Sequence, residues 1–401
     1  MDFPGDEISF EWITDIANID RNEWNNIYGD GVLNNYNFFK SMFISDFENV
    51  DFSYLVIQNK KRILCIVPCF TYLLDIQHIS SSGYIKKAIK IIRKIFPGFL
   101  KIKTFIIGSY VSTCHHHIGI LKETPQYLMS KIRDVVNKEV KNRARKEKSS
   151  LILIKEASSG EINNVISFFD SNFLFFEEYP RAVIPVSDFL GDYPLFLKKK
   201  HRKTYRKYIT EFNNLYKWEI IENYEQYIPH FYELYKKTWK KSNTKFEFLN
   251  EDFFKNLIKN LPEQTFCLIA RNDHGDILLM EILLEDEEKL IPFYLGIDYT
   301  GENTTILYLN NIYKVVKEAK ARKKRIVELG QTAYYPKIMS GALVEKMYLG
   351  FYSYKKIWKY LIKHIFKYIF TPIEIFPNVY LEQYKNIAKE HCEALEYKIY
   401  N

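Results

Sequence analysis

Residues Arg325 to Tyr354 read RIVELGQTAYYPKIMSGALVEKMYLGFYSY, and no other stretch narrows the choice of fold as much. Arg325–Leu329 has the length and apolar character of a buried strand. Gly330 breaks it, and Gln331, Thr332, Tyr334, Tyr335 and Lys337 then crowd into one short polar loop. The pair Gly341-Ala342 restarts regular structure, and Tyr348–Tyr354 reads as an aromatic strand. A strand that opens into a polar loop and returns as a strand is how a scaffold delivers several functional groups to one pocket. The stretch is therefore expected to form the floor and rim of a site.

At 401 residues the chain exceeds one ordinary core, so two domains are expected. Hydrophobic residues make up 47%, which excludes a disordered chain. Aromatics reach 16%, but Lys, Asn and Ile are also abundant, so such counts carry no functional weight here. The net charge of +8 suits an anionic partner such as RNA, a phosphorylated cofactor or a membrane surface, and equally a plain solvated exterior. Cys65, Cys69, Cys114, Cys267 and Cys392 are odd in number, scattered and without zinc-type pairing, so a reducing, cytoplasmic setting is expected. The start MDFPGDEISF lacks the character of a secretory signal. No run of roughly 18 uncharged apolar residues predicts a spanning helix.

In the first half, Arg21–Tyr28 and Phe38–Phe47 carry helical spacing. Phe52–Gln58 and Ile63–Tyr72, joined at Asn59-Lys60-Lys61-Arg62, predict an antiparallel hairpin. Ile85–Phe96 is a basic amphipathic helix. Two readings stay open for it: an Ile stripe packed under a solvated lysine face, or a helix lying on a membrane. Lys103–Gly108 is a strand that leads to His115-His116-His117. Consecutive residues cannot all face one ion, and on a strand only His115 and His117 share a side, with no carboxylate near in sequence. No metal is therefore expected. These histidines are candidates for a base or for substrate binding, or are packed or solvated polar residues. Tyr127–Lys148 is a helix that grows basic, and Leu151–Lys155 a strand.

In the second half, Leu197–Lys207 (LKKKHRKTYRK) opens a helix in which Lys199, Arg202 and Arg206 form a basic stripe. Tyr227–Trp239 is a helix, and Asn250 is an N-cap for Glu251–Leu261. Phe266–Arg271 and Ile277–Glu285 form a hairpin across Asp273-His274-Gly275-Asp276. Glu281 has apolar neighbours at i±2, so its side of the strand is expected to be covered. A covered carboxylate is either paired or raised in pKa. Strand Leu290–Asp298 and helix Thr304–Ala319 precede the opening stretch. Ile357–Phe370 is aromatic and basic. Lys359, Lys363, His364 and Lys367 argue against a spanning helix, and an interfacial one through Phe376 stays open. A last helix is expected near Tyr380–Glu396.

The order helix, helix, hairpin, strand, helix, strand, loop, strand resembles the GNAT acyltransferase fold. The resemblance is to GNAT-like domains related to Fem-type aminoacyltransferases, which carry two such domains in tandem. It covers roughly residues 180–355. It rests on the basic helix with Lys200, Arg202 and Arg206, and on Tyr232, Tyr235, Thr238 and Ser242 followed by Asp252-Phe253-Phe254. It also rests on Gly296–Asp298 with Leu307–Ala319, and on Glu328–Gln331 with Lys337 and Gly341. The resemblance implies an α+β chain of two GNAT-like domains, each a mixed, mostly antiparallel sheet flanked by helices. The expected divisions are 1–155 (a degenerate first domain), 156–370 (the catalytic domain) and a tail helix over 371–401.

It further implies an N-acyltransferase that uses acyl-CoA or aminoacyl-tRNA and an amine of a small molecule or peptide, with tRNA as a further partner; the stretches Ile85–Phe96 and Ile357–Phe376 add a membrane surface as a candidate partner. The alternatives are a non-catalytic binding module of the same fold and a peripheral membrane protein. The loop Asp298–Thr305 (DYTGENTT) has one glycine where the coenzyme A-binding loop of the family has several. No segment carries the two heptad runs of the Fem-type arm, so the donor stays open between the two classes. Glu281 or Asp298 is the expected base, with Tyr335 as an alternative donor or acceptor. Gln331 and Tyr334 are expected to orient the substrate and Lys337 to hold its carboxylate or phosphate. Arg202, Arg206, Asn303, Thr304 and Thr305 are expected to face an anionic donor.

Overall fold

The computed structural model describes residues 7–60, 62–80, 82–242, 247–301, 303–366 and 376–400. Residues 1–6 of the polar start, Glu302 of the DYTGENTT loop and 367–375 of the expected interfacial stretch lie outside them. Among the described residues no helix is long and apolar enough to cross a membrane. The strands are β1 Ser9–Ile13, β2 Asp51–Asn59, β3 Arg62–Asp75, β4 Lys101–Ile107, β5 Gly119–Ile120, β6 Leu151–Ser158, β7 Leu174–Pro185, β8 Tyr216–Ile221, β9 Thr265–Asn272, β10 Ile277–Glu285, β11 Lys289–Ile297, β12 Ile326–Gly330 and β13 Leu343–Tyr352. Sheets with helices packed on them make the architecture α+β.

Contacts divide the chain into two units. One comprises Met1–Tyr179, Asn243–Phe253 and Met347–Pro372. The other comprises Pro180–Ser242, Phe254–Lys346 and Ile373–Asn401. In the first unit β1, β2, β3 and β4 pair antiparallel in that order, β5 pairs with β3, and β6 joins β4 in parallel. The connection from β4 to β6 includes the helix Gln126–Lys146, as a parallel pair requires. In the second unit β8, β9, β10 and β11 pair antiparallel, and β12 joins β11 in parallel through the helix Thr304–Ala321. The same supersecondary arrangement thus occurs twice. Each unit is completed from the other half of the sequence. Met347–Tyr352 of β13 pairs with β6, and Ala182–Pro185 of β7 pairs with β12.

Local chemistry explains the elements. Asn35 and Asn250 cap their helices by accepting the N–H groups of Phe38 and Phe253, each at 3.0 Å. The β9–β10 hairpin turns at Gly275, whose φ of +87° suits a residue without Cβ. The helix Ile228–Lys241 lies close against β11 because position 296 is glycine. A Cβ there would stand 2.6 Å from Leu234 Cβ and 2.8 Å from the Tyr235 amide nitrogen. Gly296→Ala is therefore expected to cost about 1–3 kcal/mol through forced displacement of that helix. Urea unfolding of the two proteins measures this, and equal midpoints would refute it.

Candidate active site

In the second unit β11 and β12 pair only at Lys289↔Ile326 and Leu290↔Val327. Beyond those residues β11 runs on to Ile297 and β12 to Gly330 without pairing to each other, so the sheet opens. Backbone groups along such a parting are available to a ligand. β12 ends in a tight turn in which Gly330, Thr332 and Ala333 have φ values of +65°, +64° and +49°. For the β-branched Thr332 this is an uncommon conformation that surrounding contacts must hold. Lys337 supplies them. Its buried ammonium donates to the carbonyls of Leu329 (2.7 Å), Gly330 (3.3 Å) and Gln331 (2.7 Å).

A cavity of about 420 Å³ adjoins this region, and every residue lining it belongs to the second unit. Helix Lys199–Asn213 contributes Lys200, His201, Thr204 and Tyr208, and the end of β11 contributes Ile297 and Tyr299. Helix Thr304–Ala321 contributes Thr304, Thr305 and Tyr308, and the short helix Tyr334–Met339 contributes Tyr335 and Met339. Thr304 and Thr305 are the first turn of their helix, and Asn303 supplies no side-chain cap. First-turn N–H groups carry the positive end of the helix dipole, so this wall of the cavity favours negative charge. Lys200 adds a cation. Burial together with the neighbouring Lys200 and Lys198 pushes the His201 pKa down, so His201 faces the cavity as a neutral imidazole near pH 7. Asn310 ties two of these walls together, donating to the Tyr208 carbonyl at 2.9 Å.

Beside the cavity lies a buried carboxylate. Glu281 of β10 is 5% exposed and accepts a hydrogen bond from Asn311 Nδ2 at 2.8 Å. Burial pushes its pKa up to about 8, even though the Asn311 bond and the Lys337 charge act to lower it. Asn311 follows Tyr308 by three positions on one helix, so the two share a face. The Tyr308 phenol is raised by burial and by the field of Glu281. The carboxylate therefore acts on a ring that lines the cavity.

The structure brings together some of the residues expected from sequence and separates others. Tyr335, which is 75% exposed, lines the cavity with Thr304 and Thr305. Asn303 directly precedes them. Arg202 and Arg206 lie on the right helix but do not line the cavity, and Arg202 Nη1 donates to the Leu195 carbonyl at 3.3 Å. Lys200, Thr204 and Tyr208 follow one another at intervals of four, so the cavity face is a different stripe from Lys199, Arg202 and Arg206. Tyr334 donates to the Pro180 carbonyl at 2.7 Å, and Gln331 serves Lys337 through its carbonyl.

Asp298 is bonded by Thr300 and by Lys237 at 3.1 Å. Partial burial works to raise its pKa, but these bonds prevail and hold it below the usual carboxylate range. His115 and His117 belong to the first unit and lie in a loop rather than on a strand end, because the chain turns at Cys114 with φ +60°. The alternation argued for them therefore does not apply. His117 is buried beside Tyr28 and Phe39, and burial pushes its pKa well down. Among the described residues no group of three or more His, Cys, Asp or Glu could hold a metal ion. Sequence reasoning missed His201, Tyr208, Tyr299, Tyr308 and Asn311, although the four-residue spacing from Lys200 to Tyr208 was available to it.

No family model and no curated protein matches the sequence. Solved structures do match. FemX aligns over 88% of this chain and 100% of its own at 10% identity, with a TM-score of 0.53. A conserved protein of unknown function from Bacteroides thetaiotaomicron aligns over 86% of this chain and 100% of its own at 14% identity, with a TM-score of 0.50. The supersecondary arrangement repeated in the two units and the alignment with the whole of FemX agree: this chain has a tandem GNAT-like fold, the fold that its sequence resembles and that it shares with FemX.

Proposed function

We propose that this chain is an N-acyltransferase that moves an acyl or aminoacyl group from an activated donor, acyl-CoA or aminoacyl-tRNA, to an amine of a small molecule or peptide. The observation that carries this reading is the cavity at the Thr304–Ala321 helix start, beside the parting of β11 and β12 and the buried Glu281. The fold shared with FemX supports it. In the reaction the amine nitrogen attacks the acyl carbon and a C–N bond forms. The C–S bond of a thioester, or the C–O bond of a tRNA ester, breaks. The amine loses a proton, which ends on the leaving group. A base with a pKa near the working pH serves this step best. That criterion favours Glu281, near 8, over Asp298, whose proton affinity is held low. Lys200 and the first-turn amides at Thr304 and Thr305 suit the phosphates of the donor.

Thermal denaturation with acetyl-CoA, longer acyl-CoAs, free coenzyme A and deacylated tRNA tests the reading. A ligand of the native state at about a hundredfold excess over its dissociation constant adds about 2.7 kcal/mol of stability. A raised midpoint with one donor class is expected, and Lys200→Ala should weaken that ligand about tenfold through loss of a charge-assisted contact. Absence of any shift would favour a non-catalytic binding module.

A further inference from the structure

We propose that residues 83–99 of the first unit seat on an anionic lipid surface. Helix Gly83–Ile92 continues by a last turn to Phe96, whose N–H bonds the Ile92 carbonyl at 2.9 Å. Ile85, Ile89 and Ile92 form the inward face, with Ile89 buried and the other two half-buried, but that face leaves a second apolar stripe outside. Tyr84, Ile91, Ile95 and Phe96 are 88%, 65%, 75% and 64% exposed. Tyr84, Ala88, Ile91 and Ile95 stand at i, i+4, i+7 and i+11, so they form one continuous stripe. Lys87, Lys90 and Lys94, all exposed, flank that stripe on one side. An apolar stripe bordered by lysines is the pattern of a helix that lies in a membrane interface.

The display is held in place from behind. Arg93 bonds Asp75 at 2.9 and 2.8 Å, Gln77 at 2.8 Å and the Phe99 carbonyl at 2.8 Å, so the turn after the helix is tied to the end of β3. The surface is therefore formed before anything docks on it.

Charge selects the occupant. Residues 76–122 contain no Asp or Glu, while Lys86, Lys87, Lys90, Arg93, Lys94, Lys101 and Lys103 fall within them. A second copy of this chain docked stripe to stripe would bring like charges together. A nucleic acid would meet the lysines but leave Ile91 and Ile95 against water. Anionic lipid meets both, with phosphates at the lysines and acyl chains at the isoleucines.

Vesicle co-sedimentation tests the inference. Purified protein comprising residues 1–401 is mixed with phosphatidylcholine vesicles that contain none or about 30 mol % phosphatidylglycerol, at low and at high salt. Binding to the anionic vesicles, weakened by salt and at least about tenfold stronger than to neutral ones, is expected. Ile91→Glu with Ile95→Glu should reduce binding by about tenfold or more with an unchanged melting midpoint, because both side chains are already in water. Lys87→Glu with Lys90→Glu and Lys94→Glu should abolish the preference for anionic vesicles. Equal binding by the isoleucine variant, or no binding by the wild type, would overturn the proposal. Sedimentation velocity showing a dimer that Ile91→Glu dissolves would reassign the surface to a second copy and overturn it as well.

Discussion

Arg181→Met is expected to destabilise the protein by about 3–5 kcal/mol, the range for removing one partner of a buried ion pair. Arg181 is 4% exposed and stands between two buried carboxylates of the second unit. Its Nε and Nη2 donate to Glu345 Oε2 at 2.9 and 2.8 Å, and its Nη1 lies 3.7 Å from Glu328. The guanidinium also covers the Tyr397 ring at 4.4 Å, and the Tyr397 hydroxyl donates to Glu328 at 2.8 Å. The other Glu345 oxygen accepts the Lys398 amide at 3.0 Å. One cation thus joins β7, β12, β13 and the C-terminal segment of the chain.

Methionine fills similar volume but removes the cation that both carboxylates face, while Lys289 stays 3.8 Å from Glu328. Urea unfolding of the variant gives the loss, and a midpoint within error of wild type would show that the network is not needed for stability. Glu345→Gln with Arg181→Met restores neutrality on that side and should recover part of the loss.

The network also shows what a linear reading leaves out. Hairpins and caps are local, so the turn at Gly275 and the cap at Asn250 were legible from neighbouring residues alone. Strand partners are not local. The pairing of β6 with β13 and of β7 with β12 joins residues far apart in sequence, and no periodicity marks which strand goes where. Arg181, Glu328 and Glu345 each look like an ordinary charged residue inside a strand until that pairing brings them together.

The site divides in the same way. The apolar neighbours of Glu281 were enough to expect its covering, because alternation along a strand is a two-residue rule. On helix Lys199–Asn213, charge density drew attention to Arg202 and Arg206, whereas the cavity takes the face two residues away, with Lys200, Thr204 and Tyr208. Cations prefer water, so the most basic stripe of a helix need not be the one that a pocket uses. Lys337 shows the converse. A lysine in a polar loop reads as a hand for substrate, yet its ammonium holds the left-handed turn at Thr332 and Ala333 by three carbonyls.

Glu281→Gln is expected to lower turnover by about 10²–10⁴-fold, the range for loss of a positioned base. It keeps the shape and an acceptor for Asn311, so the fold should be retained. The pH dependence separates a base from a packing residue. With the carboxyl titrating near 8, the wild-type rate should rise as pH passes through about 8, while the variant lacks that rise.

Stability gives a second readout whose sign is fixed. The folded-state pKa lies above the ordinary value of 4.5, so the folded protein holds a proton that the unfolded chain releases between those two values. The contribution of Glu281 to stability is therefore fully present below pH 4.5 and is lost as pH rises to about 8. Removing the charge removes that loss. Above about pH 8, Glu281→Gln should be more stable than wild type by an amount on the order of a few kcal/mol, and near pH 4 the two should be alike. Greater stability at high pH together with lost turnover is the signature of a buried carboxylate kept for chemistry at the expense of packing. Retained turnover would assign the base to another residue, whatever the stability curve shows.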